Sequence, residues 1–278
     1  MNARLLFILL LFTIGALWYI IGYWRRKAGE AAFAAARLTE KSEERERYCR
    51  LAVMAGHRKA CRMFCLLHPE RFDGHSPHKP FKLRGIRISF YGYYYPSRYN
   101  ALLNDEQKAF CHSIYQFKQG DIHGIEFFKT CMNALQLKKR PYHIMFMPCS
   151  NWIKYGQRFK RLDWYIGKHR QDLTSGLYDV DICDARESLH EAKGGEKHIL
   201  ERNYLITGKI KGKEIIIIDD VLTTGQSVVD YKEEIERCGG KVVAAIFYGK
   251  TLSMPSMLLV QIHVWGNHIA HIIERMTK

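Results

Sequence analysis

The stretch Glu214-Ile-Ile-Ile-Ile-Asp-Asp-Val-Leu-Thr-Thr-Gly-Gln-Ser227 decides the fold. Four consecutive isoleucines suit a parallel strand covered on both faces, because alternation is needed only where one face meets water. The strand is expected to end in Asp219-Asp220, with a short hydroxyl-and-glycine loop after it and a helix from about Ser227. That helix stops at Gly239-Gly240, a residue pair that favours a C-terminal cap. The apolar run KVVAAIFYG (241–249) then reads as the next strand. Strand, helix and strand in this order signal a parallel α/β sheet. Upstream, HIMFMPC (143–149) is a short apolar strand entering a loop at Pro148, Arg158 to His169 is a basic helical stretch, and VDIC (180–183) is a second short strand. Downstream, MLLVQIHVW (257–265) reads as one more strand before a short C-terminal helix. The expected α/β domain covers 138–278.

The same stretch carries chemistry. Ligands of open α/β sheets bind outside the carboxyl ends of the strands, where this loop must lie. Backbone N–H groups around Thr223, Thr224, Gly225 and Gln226 can point into one concavity, Gly225 permits close approach, and the helix start favours an anion. The hydroxyls of Thr223, Thr224 and Ser227 add donors. Asp219 and Asp220 are suited to accept hydrogen bonds from two sugar hydroxyls. A phosphate cradle beside a diol acceptor is a ribose-5-phosphate site. The alternative, incidental acids at a buried strand end, would leave both carboxylates without partners.

An apolar strand, two acids, two apolar residues and Thr-Thr-Gly-x-Ser resembles the phosphoribosyl-diphosphate (PRPP) motif of the type I phosphoribosyltransferases. The order of strand to Pro148, Tyr155-Gly-Gln-Arg-Phe159, Arg186, Arg202-Asn203 and motif strand is similar to the ComF-like branch, whose Arg-Gly-Phe-Asn-Gln signature is echoed by Arg158-Phe159. The resemblance implies a type I fold, PRPP as substrate, and displacement of pyrophosphate at the anomeric carbon by a nitrogen base or another nucleophile. It implies Mg2+ bound with PRPP and no direct protein metal ligand. By position, Cys149 and Ser150 would contact diphosphate. Asp184 to Asn203, with Arg186, Lys193 and Lys197 and the pair Gly194-Gly195, would close over the site, and Asp219, Asp220, Arg186 and Lys193 would form the catalytic set. Closure would exclude water from a hydrolysable substrate. Thr223 stands where 6-oxopurine salvage enzymes carry an acid, which argues against hypoxanthine or guanine as acceptor.

Residues 1–137 lie outside this resemblance. Leu5 to Trp24 contains no charge, reaches the length of about 20 residues that a span needs, and is followed by Arg25-Arg26-Lys27. A signal peptide would have a shorter apolar core preceded by its basic flank. The sequence therefore predicts a transmembrane signal anchor over 1–27, single-pass in the cytoplasmic membrane, with the C-terminal domain inside. Residues 28–137 are read as α-helical. Tyr48 to Ala60 resembles a Sel1-like helix–turn–helix repeat, and QKAFCHSIYQFKQGDIHGIEFFKTCMNAL (107–135) repeats its shape more loosely. Repeat arrays usually need three or more units, so ordinary helical packing is the fuller reading. His75 to Tyr99 has partial strand alternation and receives no role. His57, Cys61, Cys65 and His68 cannot close a tetrahedron from one straight helix and read as a packed face.

The 278 residues are 47% hydrophobic and 26% charged, which excludes a disordered chain. Eight cysteines without a CxxC pair exclude a disulfide scaffold and read as reduced thiols. Forty-three Lys and Arg against 28 Asp and Glu, a net charge of +15, suit an anionic partner. Three readings stay open: a membrane-anchored phosphoribosyltransferase with an unidentified acceptor, a non-catalytic PRPP or nucleotide sensor signalling through its helical region to a protein partner, and a ComF-like accessory protein in DNA handling. A homodimer is compatible with each, and nucleic acid is the less favoured partner.

Overall fold

A computed structural model describes residues 3–122, 124–182 and 203–277. Two compact units interleave along the chain. One comprises Met1–Gly74, Ala101–Leu103 and Ser253–Lys278, the other His75–Asn100 and Asn104–Leu252.

The first unit opens with α1 (Ala3–Leu38), followed by α2 (Ser42–Met54), α3 (Arg58–Leu67) and the short α4 (Pro69–Asp73). Phe33 of α1 stacks on His57 with ring centroids 4.4 Å apart. His57 in turn caps α3, its Nδ1 accepting from the Ala60 N–H. Cys61 and Cys65 are buried on α3 beside Met63 and Phe64, and burial pushes the Cys65 thiol up to about 12. The cysteines whose state is described are all free.

The expected membrane anchor is overturned. No helix among the described residues is long and apolar enough to cross a membrane. Helix α1 runs on unbroken into Arg25, Arg26, Lys27 and Glu30. The cytoplasmic-membrane assignment falls with the anchor.

The second unit is built on a six-stranded sheet. Its elements are β1 (Phe81–Leu83), β2 (Ile86–Tyr94), α5 (Asp105–Gln119), α6 (Ile125–Leu135), β3 (Tyr142–Phe146), α7 (Trp152–His169), β4 (Leu173–Ser175), β5 (Val180–Ile182), β6 (Tyr204–Ile206), β7 (Glu214–Leu222), α8 (Gln226–Arg237) and β8 (Lys241–Thr251). The strand order is β1-β2-β8-β7-β3-β4, parallel except for the antiparallel β1–β2 hairpin. This is the expected α/β class. Ile215 to Ile218 of β7 are fully buried because helices cover both faces. Ile216 and Ile218 join Phe117 of α5, Phe128 of α6 and Phe159 of α7 in one core. Ile215 meets Ile235 of α8 at Gly240, where an added Cβ would come within 2.6 and 2.9 Å of them.

Three details depart from the sequence reading. Strand β5 leaves the main sheet and pairs antiparallel with β6 in a separate two-stranded ribbon. Strand β2, whose partial alternation suits a strand or hairpin, lies outside the expected 138–278 domain yet pairs with β8 inside the sheet, with Ile86, Ile88 and Phe90 buried. The C-terminal run 257–265 is a helix, α9 (Met257–Met276), belonging to the first unit. Ser256 caps it by accepting from the Leu259 N–H, and Val260 and Val264 are its buried residues. That spacing of four is helical, and a dense apolar run hides it from a reading by alternation.

Phe159 links α7 to the sheet, with its ring 4.9 Å from Phe146 and 6.0 Å from Phe117. Phe159→Ala should cost about 3–5 kcal/mol of stability in urea unfolding, the usual range for emptying a buried phenylalanine site.

Candidate functional site

The site forms where β7 ends. Asp219 and Asp220 sit within the last turns of pleat, and the strand runs two residues further than expected, to Leu222. The Asp220 N–H donates to Asp219 Oδ1 at 2.7 Å, which fixes the first carboxylate against the backbone of the second. Both side chains are about nine-tenths buried, with 14% and 10% of their surface exposed. Two like charges at such a position need compensation. Arg158 of α7 supplies it: Nη1 lies 2.6 Å from Asp220 Oδ2 and 3.8 Å from Asp219 Oδ1. Lys118, in the last turn of α5, places Nζ 3.6 Å from the same Asp220 oxygen.

The electrostatics follow from this packing. Burial, with Asp220 adding repulsion, pushes the Asp219 carboxyl up to about 7, while Arg158, the Asp220 N–H and Lys118 pull the other way. Burial, the largest single effect, opposes the charge on Arg158, and Asp220, Cys149 and Asp219 together more than offset it. The buried Nε of Arg158 has no acceptor among the described residues.

The loop after β7 leads directly into the N-terminus of α8, where the Gln226 N–H donates to Thr224 Oγ1 at 3.4 Å. Thr223, Thr224 and Ser227 are exposed around the start of α8. Gly225 caps the helix with φ of 79°, a left-handed conformation that other residues adopt at a cost of about 1–2 kcal/mol. A Cβ there would also lie 2.3 Å from Leu83 Cδ2 in the β1–β2 hairpin. The hairpin turn further contributes Arg84, whose Nη1 donates to Gln226 Oε1 at 2.7 Å. Gln226 Nε2 donates to Asp230 Oδ1. An arginine thus stands beside the start of α8.

The loop after β3 closes the other side. The Met147 N–H donates to the Ile218 carbonyl, which brings the ends of β3 and β7 level. Cys149 is buried, and burial pushes its thiol up to about 12, with Arg158 opposing and Asp219 and Asp220 reinforcing. A neutral thiol is a poor nucleophile. Asn203 Nδ2 donates to the carbonyls of Cys149 and Ser150 at 3.3 and 3.4 Å. Arg186, Lys193 and Lys197 lie outside the described residues.

The structure therefore brings Asp219, Asp220 and Cys149 together, with the Thr223–Ser227 loop following directly on the acids. Arg158, Lys118 and Arg84 are the residues that sequence reasoning left without a role. A signal for Arg158 was present. Tyr155, Phe159, Leu162 and Ile166 mark the buried stripe of α7, and Arg158 falls between Tyr155 and Leu162 on that stripe, where a charge needs an opposite partner. No comparable pattern marks Lys118 or Arg84.

Residues 170–251 match the family model of the phosphoribosyl transferase domain. The match spans β4 to β8 and includes both acids and the cradle, whereas Lys118, Cys149 and Arg158 lie before it. Over 56 residues, 20% of this chain, the sequence is 43% identical to an orotate phosphoribosyltransferase of Sulfolobus acidocaldarius, covering 26% of that protein. The chain thus spans about a quarter of the length of this curated relative. The β7 site lies in a region similar to a phosphoribosyl transferase domain, on a mostly parallel sheet flanked by helices.

Proposed function

We propose that this protein is a PRPP-dependent phosphoribosyltransferase. The observation that carries the reading is the buried acid pair at the end of β7, followed directly by a hydroxyl-lined cradle on the N-terminus of α8, within residues 170–251. In this reading the N–H groups and hydroxyls of Thr223 to Ser227 hold the 5-phosphate. Asp219 and Asp220 accept from the ribose 2- and 3-hydroxyls and stabilise the ring as it gains positive charge. The loop at Cys149-Ser150 lines the diphosphate side. Arg186 and Lys193 are the proposed cations of a covering segment. The acceptor is a nitrogen base or another nucleophile, and Thr223 in place of an acid disfavours a 6-oxopurine.

Magnesium fits as a companion of the substrate. Among the described residues no three His, Cys, Asp or Glu side chains gather to hold a metal, and the acid pair is already compensated by Arg158 and Lys118. Mg2+ prefers to keep waters and bind through substrate phosphates. When bound with PRPP it would neutralise charge on the departing pyrophosphate.

PRPP with Mg2+ should raise the Tm of the full chain by an amount that grows with ligand concentration, as any ligand of the native state does. Pyrophosphate release across a panel of bases and amines then identifies the acceptor class. Asp219→Asn combined with Asp220→Asn should abolish the Tm shift, and an unchanged shift would show that the diol is held elsewhere. Gly225→Ala should weaken PRPP at least tenfold, about 1.4 kcal/mol, because Leu83 and the left-handed backbone both oppose a Cβ.

Asp219 also makes a prediction about stability. Its carboxyl titrates near 7 in the folded chain, against 3.8 for the unperturbed group. Between these values the folded state keeps a proton that the unfolded state releases, so this group's contribution falls as pH rises from about 4 to about 7 and is constant outside that window. Asp219→Asn keeps the acceptor for the Asp220 N–H and removes the titration. Its Tm advantage over wild type should therefore widen from pH 5 to pH 7.5, while PRPP binding is lost.

A further inference from the structure

We propose that Arg158 is a positioning residue that lowers the pH at which Asp219 and Asp220 become ionised together, so that both can accept from a ribose diol. The inference rests on the reading of these acids as diol acceptors. It adds a residue outside the matched domain and a physical role for it.

The geometry supplies the argument. A carboxylate accepts hydrogen bonds through both oxygens, whereas a protonated carboxyl turns one oxygen into a donor. Two adjacent buried carboxylates without a counter-charge share a proton, because desolvation and mutual repulsion both oppose the second ionisation. Half of the diol site would then present the wrong polarity. One guanidinium nitrogen of Arg158 stands 2.6 Å from one acid and 3.8 Å from the other. A guanidinium never loses its charge at physiological pH, so its effect does not fade as the acids titrate.

The surroundings assign this task to Arg158. From β7 itself the facing groups are the two acids and the Asp220 N–H. From α5 comes Lys118, at 3.6 Å from Asp220 and with 31% of its side chain exposed, so water screens it more. From the loop after β3 comes the Cys149 thiol, which burial keeps neutral. From α7 comes Arg158, with 16% of its side chain exposed. The least screened positive charge is thus the one nearest the pair.

The test uses the full chain with 13C-labelled aspartate carboxyls, titrated from pH 4 to 9 without ligand, beside PRPP dissociation constants over the same range. Arg158→Gln should move the upper midpoint of the pair up by at least one pH unit, and Arg158→Lys should restore most of that shift. In Arg158→Gln, PRPP affinity should fall about tenfold per unit below the new midpoint and recover above it. A merely structural lesion would weaken PRPP equally at every pH, and that result would overturn the proposal. An unmoved carboxyl midpoint would overturn it as well. Lys118→Met leaves the packing of α7 intact and covers the case in which Arg158→Gln does not fold. It should shift the midpoint in the same direction by less than one pH unit, and a larger shift would assign the ionisation of the pair to Lys118 and overturn the proposal. Wild-type protein that binds no PRPP would refute the functional reading, while the ligand-free titration would still decide the role of Arg158.

Discussion

Two carboxylates at the buried end of a strand, held by one guanidinium from a neighbouring helix, are the constraint around which the second unit is arranged. The isoleucines of β7 bury the strand on both faces, and burial makes the acids at its end costly unless a positive charge reaches them. Arg158 reaches them because Phe159, its neighbour on α7, is locked between Phe146 and Phe117. Removing one partner of such a buried pair typically costs about 3–5 kcal/mol. Hydrophobic packing sets the position of the helix, and the helix sets the electrostatics of the acids.

The same economy explains why distant segments converge here. Parallel pairing of β2 with β8, and of β7 with both β8 and β3, aligns the carboxyl ends of the central strands. The β1–β2 hairpin then brings Leu83 and Arg84 to the α8 cradle, and α5 ends with Lys118 at the acid pair. Both come from residues before 138, so the surroundings of the site extend beyond the stretch similar to a phosphoribosyl transferase domain. The acids gain compensation without becoming inert, since the upward shift of Asp219 shows that the pair still stores unfavourable charge. Sites that bind polar ligands commonly hold such strain in the free state.

Much of this was legible in the residues. Strand β7, the glycine-capped start of α8, strand β8 and the loop at Pro148 follow from local patterns of burial and turn chemistry, and the structure has them where those patterns put them. The failures share a physical cause. Residues 257–265 are apolar at nearly every position, so neither period stands out, and the Ser256 cap is the decisive feature. Leu5 to Trp24 reads as a span from its length, its lack of charge and the basic flank Arg25-Arg26-Lys27, whereas no helix among the described residues is long and apolar enough to cross a membrane. Strand β5 was given to the main sheet because an isolated run of three residues carries no information about its partner.

By itself the sequence determined the covalent spacing of Asp219, Asp220, Thr223, Thr224, Gly225 and Ser227 and the strand and helix that present them, because those features are encoded within one turn or one pleat. Which charges compensate the acids was decided only by tertiary structure. Lys118, Arg158 and Asp220 are far apart along the chain, and nothing short of the packed helices and the strand register brings them within hydrogen-bonding and ion-pair distance.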